Sequence, residues 1–196
     1  HIDEQPCARV RDVGLLLGTG PVRARHEVAQ VLNLDASRPW CLVYFGASGL
    51  RACQWSALDT YPQWSFIGLY ALPGAGANYR QISLSPQISH GDVVASASAV
   101  LGKLGYGLVS ECLALGKPVV FPHRHQFREF PALRDSLLAR DLGFEITSAD
   151  LGAGRLDAAL QWCSTREQAV MAPVARGDDA ILHTIAEVWR NAVARR

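Results

Sequence analysis

The chain contains an unbroken apolar run, Trp40-Cys41-Leu42-Val43-Tyr44-Phe45, which stops at the turn residues Gly46-Ala47-Ser48-Gly49. A short apolar run bounded by turn residues is typical of a strand buried on both faces, as in a parallel sheet. Similar runs recur further along the chain. They predict additional strands at 64–70, 82–84, 99–102, 118–121 and 144–147.

Helical patterns separate these apolar runs. They predict helices from Pro21 onward, at 50–58, 93–97, 108–115 and 130–140, and from Asp178 or Asp179 to the end. Gly143 is expected to cap the helix at 130–140. The last helix carries an apolar face formed by Ile181, Ile185, Val188, Trp189 and Ala192. Short apolar strands that alternate with helices predict an α/β fold with a doubly wound parallel sheet.

Composition excludes several classes of function. The chain has 196 residues, enough for one domain, and its formal charge of +1 argues against a surface for nucleic acid or anionic membrane. No apolar run approaches the ~20 residues of a membrane span. Five cysteines without a CxxC pair indicate neither a disulfide framework nor a zinc site, so a soluble cytoplasmic protein is expected. Residues 1–20 are polar and aperiodic, as expected of a connector.

Ligands of open parallel sheets bind at the carboxyl ends of the strands, so candidate binding residues directly follow the apolar runs. The first candidate is the turn Gly46–Gly49, whose amides could meet an anion at the start of the next helix. A tight strand-to-helix turn that binds nothing explains these residues equally well.

The segment Gly102–Glu111 is a stronger candidate, because three glycines and a lysine lie between a strand and a helix. Glycine permits a positive φ and close approach of a ligand to the backbone. The amides near Gly105 and Gly107, together with Lys103, suit a phosphate group. The glycine spacing matches neither GxxxxGK[ST] nor GxGxxG.

Three further polar residues complete the candidate site. The two carboxylate oxygens of Glu111 match a vicinal diol such as that of ribose, although a first-turn carboxylate that interacts with the helix dipole is an equal alternative. Arg124 and Glu129 suit polar contacts with a charged, hydroxyl-rich ligand. His123 and His125 have no further ligand spaced to complete a zinc site, so no metal is expected.

Two adjoining segments, 103–111 and 113–118, resemble the C-terminal half of GT-B glycosyltransferases. The shared pattern is a glycine-rich loop, Ser-Glu, and a small-residue helix that ends in Gly-x-Pro. A more detailed likeness is to the glycosyltransferase-like domain at the N-terminus of L-arabinokinases. It rests on Asp92-Val93, the same glycine-rich loop, Phe127-x-Glu129-x-Pro131 and Leu133-Arg134. The likeness is specific over 92–135 and only architectural over the rest of 38–146.

The resemblance implies that residues 21–196 form a Rossmann-like domain, one half of a GT-B architecture, which binds a nucleotide-sugar donor. A UDP-sugar is expected, without a cofactor. Lys103 and the loop Gly105–Gly107 would face the diphosphate, Glu111 the ribose and Glu129 the donor sugar, while the nucleobase would meet Ser85–His90. The residues expected to bind the donor are Gly46, Ser48, Gly49, Lys103, Gly105, Tyr106, Gly107, Ser110, Glu111, Arg124 and Glu129.

The chain departs from the family pattern at Leu108, where a small hydroxyl residue is common, and at Ser98, where an aspartate is common. GT-B enzymes carry the acceptor site, and usually the catalytic base, in an N-terminal domain. This chain is therefore expected to be a donor-binding fragment that is inactive alone, with its catalytic residues and acceptor unknown. Two alternatives are a non-catalytic sensing or docking module and a GT-B-type nucleotide-sugar epimerase.

Overall fold

The computed structural model describes residues 22–46, 53–166 and 177–193. The predicted connector at 1–20 lies outside the described residues, as do Ser48 and Gly49 of the first candidate turn.

Six strands form one sheet in which every pair of neighbours is parallel. The strands are β1 (Trp40–Tyr44), β2 (Ser65–Gly68), β3 (Tyr79–Gln81), β4 (Ala99–Gly102), β5 (Val119–Pro122) and β6 (Gly143–Ile146). Their spatial order is β3-β2-β1-β4-β5-β6. This is the strand order of a Rossmann-like, doubly wound sheet, and it confirms the predicted fold class.

Helices connect the strands and cover both faces of the sheet. They are α1 (Arg25–Leu32), a 3-10 helix (Trp55–Thr60), α2 (His90–Ser96), α3 (Tyr106–Leu115), α4 (Phe130–Leu138), α5 (Ser148–Gly152), α6 (Asp157–Ser164) and α7 (Asp178–Val193). The predicted helices at 93–97 and 108–115 start earlier in the structure, and α5 and α6 were not predicted. Of the described residues in the predicted helix at 50–58, those at 55–58 form the start of the 3-10 helix.

Two local predictions are wrong. The strand expected at 82–84 lies at Tyr79–Gln81, an edge strand that is paired on one side only and therefore tolerates polar residues. The helix expected to end at Gly143 ends at Leu138, and Gly143 instead begins β6. Asp141 takes the left-handed conformation in the intervening turn, with a φ of 53°.

The hydrophobic core has two layers, because alternate side chains of each strand point to opposite faces of the sheet. Trp40 and Leu42 pack in the layer beneath α1, α2, α3 and α4. Cys41 and Val43 pack in the layer beneath the 3-10 helix, α5 and α6. Cys112 is also fully buried, and a buried free thiol packs as a small apolar side chain.

The predicted last helix is confirmed as α7. Most of the apolar side chains on this helix are exposed, because none of the described residues packs over them. Ile185 is 59% exposed and Trp189 is 71% exposed. Among the described residues, no helix is long and apolar enough to cross a membrane.

The carboxyl ends of strands β1 and β4 leave no room for a side chain at Gly102. Gly102 pairs with Tyr44, and a Cβ at Gly102 would overlap the Tyr44 carbonyl oxygen. The backbone N–H of Lys103 donates to that same oxygen at 3.3 Å. Only glycine fits at position 102 without a shift of the backbone.

We expect Gly102→Ala to lower the free energy of unfolding by about 1–3 kcal/mol, because the added methyl group overpacks a strand contact. Urea denaturation measures this change. Gly107→Ala is the matched control, since a Cβ there meets no atom within 4 Å and should be neutral or slightly stabilising. Equal effects of the two substitutions would contradict the close approach of β1 and β4.

Candidate functional site

The candidate site lies where the strand order reverses. From β1 the chain proceeds to β2 on one side, whereas β4, on the other side of β1, continues to β5. The carboxyl ends of two such strands border a crevice, which is the usual ligand position in this architecture. Gly46 follows β1 and Lys103 follows β4.

The two predicted loops meet in this crevice. Gly46 has a φ of 73°, and a Cβ built on it would lie 3.4 Å from Lys103 Nζ. The ammonium group of Lys103 therefore lies against the backbone of the loop after β1. The left-handed backbone at position 46 favours glycine, and the lack of a side chain leaves room for the lysine.

The glycine-rich loop leads into an open helix start. Gly105 is the residue before α3, and its carbonyl accepts the N–H of Val109 at 3.0 Å. The N–H groups of Tyr106, Gly107 and Leu108 precede this bond, so they have no acceptor within the helix. The positive end of the helix dipole adds to their attraction for an anion.

One of the two purposes predicted for the glycines of this loop, a positive φ, is not observed. Positive φ was expected, but neither Gly102, Gly105 nor Gly107 is in that region. Gly102 instead permits the close strand approach. A Cβ on Gly105 or Gly107 would meet no atom within 4 Å, so the mouth of the loop is open.

The residues that follow the loop lie in different environments. Tyr106 is exposed at the start of α3, whereas Ser110 is buried, with 2% of its surface accessible. Leu108 packs in the core near Gly102, so its side chain contributes packing. The roles of Tyr106 and Ser110 in donor binding stay predictions.

Glu111 belongs to a polar cluster at the carboxyl end of β1. Its Oε2 lies 2.8 Å from His90 Nδ1, and the two side chains are 15% and 24% exposed. The His90 ring packs against Tyr44 with 4.8 Å between ring centroids. Burial raises the pKa of Tyr44, and the nearby Tyr70 and Glu111 raise it further. We call Glu111, His90 and Tyr44 the Glu111 cluster.

Sequence reasoning missed this cluster, because it placed His90 only within a broad nucleobase segment and gave Tyr44 no role. A local signal for the position of His90 does exist. Ser89 Oγ accepts the N–H of Asp92 at 3.1 Å, and Asp92 Oδ2 accepts the N–H of Ser89 at 2.8 Å. This reciprocal pair is a capping box with an aspartate at its third helical position, and it fixes the first residue of α2, which is His90.

Asp92 is buried and strongly hydrogen-bonded. Burial alone would raise the pKa of Asp92, but hydrogen bonds from Arg23 N–H and from Ser89 outweigh it and hold the pKa below its usual value. The Arg23 contact is 2.7 Å long. Asp92 therefore joins the segment before α1 to the start of α2.

Arg124 links the loop after β5 to the glycine-rich loop. Its Nη1 donates to the Leu104 carbonyl at 2.6 Å, and its guanidinium lies 3.9 Å from the centroid of the Phe127 ring. A groove of about 700 Å³ opens beside it, lined by 123–128, Phe130, Pro131 and Arg134. Glu129 is exposed directly before α4, and it does not line this groove.

The histidines of this loop are engaged with other side chains. His123 Nδ1 lies 2.9 Å from Glu145 Oε1, and the His123 ring is 4.6 Å from the His125 ring. In the part of the chain that the structure describes, no group of three or more His, Cys, Asp or Glu side chains is arranged to hold a metal ion.

No family model matches the chain. One known protein, the L-arabinokinase of Arabidopsis thaliana, is 40% identical to it over 79 residues. That match covers 40% of this chain and 7% of the L-arabinokinase. The matched segment is therefore a small part of that relative.

Solved structures share the fold. The glycosyltransferase SnogD from Streptomyces nogalater is 22% identical, with a TM-score of 0.54 over 88% of this chain and 47% of its own. The glycosyltransferase VinC in complex with dTDP is 14% identical, with a TM-score of 0.52 over 87% and 45%. A Listeria monocytogenes protein assigned to the UDP-N-acetylglucosamine 2-epimerases is 15% identical, with a TM-score of 0.53 over 79% and 45%.

The chain spans about half the length of these structures. At identities this low, the similarity concerns the fold alone. This fold is the Rossmann-like fold of one GT-B half. The sequence likeness to the C-terminal half of GT-B glycosyltransferases and to L-arabinokinase agrees with this architecture.

We expect Asp92→Asn to lower the free energy of unfolding at pH 7 by about 1–2 kcal/mol, because the capping box loses a charged acceptor. The native pKa of Asp92 is depressed, so its contribution is present above the unfolded pKa of about 3.9 and is lost as the pH falls through the native pKa. Urea denaturation at pH 7, 5 and 3 should therefore show a difference that shrinks at pH 3.

The control for this experiment is Asp135→Asn, which changes an aspartate that is 63% exposed and paired with Arg134. This substitution should be nearly neutral. A difference at Asp92 that is absent at pH 7, or that grows as the pH falls, would contradict the assigned role of its carboxylate.

Proposed function

We propose that this domain binds a nucleoside-diphosphate sugar, expected to be a UDP-sugar, as the donor half of a GT-B-type glycosyltransferase. The observation that carries the proposal is the convergence of a lysine ammonium, an open helix start and a carboxylate at one crevice. A nucleoside diphosphate needs such groups: a cation and N–H donors for its phosphates, and an acceptor for its ribose hydroxyls.

The diphosphate is the first part of the ligand to consider. Lys103 is one of two lysines in the chain, and its ammonium lies against Gly46 in the crevice. The first N–H groups of α3 lie on the segment that directly follows it. A flexible lysine and a set of amides that have no acceptor within the helix are together suited to phosphate oxygens. Gly105 and Gly107 leave the backbone accessible to a ligand of this size.

Glu111 lies five residues beyond the start of α3, which is about 7 Å along the helix axis. A ligand whose phosphates meet the helix start can thus extend its ribose along the helix to the carboxylate. Oε2 of Glu111 already contacts His90, but each carboxylate oxygen has two lone pairs. Both oxygens can therefore accept a ribose hydroxyl while the histidine contact persists.

The similar structures support the proposed class of ligand, but they do not identify the sugar that this chain would bind. VinC was solved with dTDP, a nucleoside diphosphate, and SnogD is a glycosyltransferase. The chain spans about half of each. Glycosyl transfer requires a donor and an acceptor held together in a reactive geometry. We propose that an N-terminal domain supplies the acceptor site and the catalytic base.

A second candidate is a non-catalytic module that uses the crevice for sensing or docking. The observation that favours it is the sequence match to a segment of L-arabinokinase, together with Leu108 in the core where a hydroxyl residue is common. An epimerase is the third candidate, which the Listeria monocytogenes structure supports at the level of fold. Incubation of UDP-sugars with the protein joined to the proposed N-terminal domain separates them: an enzyme gives a transferred, hydrolysed or epimerised sugar, and a module leaves the UDP-sugar unchanged.

We expect isothermal titration to detect binding of UDP, and we expect Lys103→Ala and Glu111→Ala each to weaken it by about tenfold or more. Each substitution removes a charge-assisted interaction, and a loss of 1.4 kcal/mol corresponds to tenfold in affinity.

The chain offers a matched control for each substitution. Lys117 follows Gly116 at the far end of α3, and Glu145 is a second carboxylate paired with a histidine. Lys117→Ala and Glu145→Gln should leave UDP affinity within about twofold of the wild-type value, since neither borders the crevice. Absence of UDP binding, or equal losses in the control variants, would overturn the proposed function.

A further inference from the structure

We infer that His90 is a positioning residue that holds the Glu111 carboxylate in the orientation needed to bind two ribose hydroxyls. The inference rests on the proposed function, and it adds a residue on which the choice between ribose and deoxyribose depends. This role of His90 does not follow from the motif of the glycine-rich loop, nor from the similarity to known proteins.

The contact itself defines the direction of the hydrogen bond. An ionised glutamate can only accept, so His90 Nδ1 carries the proton and donates it to Glu111 Oε2 across 2.8 Å. Both side chains are mostly shielded from water. A hydrogen bond to a charged acceptor in such a place orients the carboxylate more firmly than water would.

The other ring nitrogen, His90 Nε2, is buried and has no hydrogen-bond partner among the described residues. The ring is therefore anchored through Nδ1 and through its packing against Tyr44. A buried nitrogen without a partner costs stability. The position of His90 is thus better explained by what its ring does to Glu111 than by a contribution to folding.

The backbone of His90 is also fixed. The capping box between Ser89 and Asp92 encloses it, and Asp92 is itself bound by Arg23. The donor therefore reaches Glu111 from a rigid helix start. Fixing a flexible carboxylate in the free protein removes an entropic cost from binding, which raises affinity for a ligand that needs that orientation.

The second histidine–glutamate pair provides a comparison. His123 and Glu145 lie 2.9 Å apart, but their side chains are 43% and 34% exposed. Water competes with that contact, and surface pairs of this kind contribute little. The His90–Glu111 pair differs in its burial and in its place beside the crevice.

The test compares UDP with 2′-deoxy-UDP by isothermal titration, using three His90 variants that either keep or remove a hydrogen-bond donor near the position of Nδ1. The amide nitrogen of His90→Asn lies near the position of Nδ1 and can still donate to Glu111. The amide of His90→Gln lies near the position of Nε2, so the contact with Glu111 is lost. His90→Phe keeps the ring that packs on Tyr44 and removes both nitrogens.

The wild-type protein should bind UDP about tenfold more tightly than 2′-deoxy-UDP, the value of one hydrogen bond to a charged group. His90→Gln and His90→Phe should reduce this preference to about twofold or less, mainly through weaker binding of UDP. His90→Asn should retain it. In the Glu111→Ala background, His90→Phe should cause no further loss, because the coupled pair is already broken.

The outcomes separate the two proposals. If UDP binds, Glu111→Ala weakens it, and all three His90 variants keep the wild-type preference, the role of His90 is overturned and the proposed function stands. If the wild-type protein binds neither nucleotide, the proposed function itself fails. The thermal transition of His90→Phe shows whether this variant folds. If it does not fold, His90→Asn and His90→Gln are compared instead. Equal preferences of these two variants for UDP over 2′-deoxy-UDP would overturn the inference.

Discussion

The close contact between β1 and β4 at Tyr44 and Gly102 is the constraint on which the site depends. Because Gly102 has no side chain, the carbonyl of Tyr44 reaches the strand and accepts the N–H of Lys103. These two strands border the point where the strand order reverses. Their contact therefore brings the loop after β1 and the loop after β4 together, and it sets the Lys103 ammonium against Gly46.

Other groups organise the site around this contact. The chain from Lys103 to Glu111 supplies a cation, open amides and a carboxylate on one strand-to-helix connection, so their relative positions follow from backbone geometry. Arg124 steadies the loop through the Leu104 carbonyl. His90 approaches Glu111 from a separate helix. A crevice with these fixed groups is suited to an anionic ligand that also carries hydroxyl groups.

Much of this architecture could be predicted from sequence because central parallel strands are buried on both faces and therefore form continuous apolar runs. The edge strand Tyr79–Gln81 was not predicted at its correct position, because an edge strand does not need to consist of apolar residues. The loop at 103–111 could be predicted because its chemistry lies on consecutive residues. The contact of His90 with Glu111 could not, because 21 residues separate them and only the tertiary fold brings them together.

The ligand proposed for the crevice between β1 and β4 is a nucleoside diphosphate. The most direct measurement is a titration of the ¹⁵N-labelled protein with UDP, followed by two-dimensional NMR of the assigned backbone amides. We expect the largest shifts at Tyr106, Gly107 and Leu108, where N–H groups without helical acceptors would meet the phosphates, and smaller shifts in α6. Shifts confined to the groove lined by 123–128, or no shifts at saturating UDP, would contradict it.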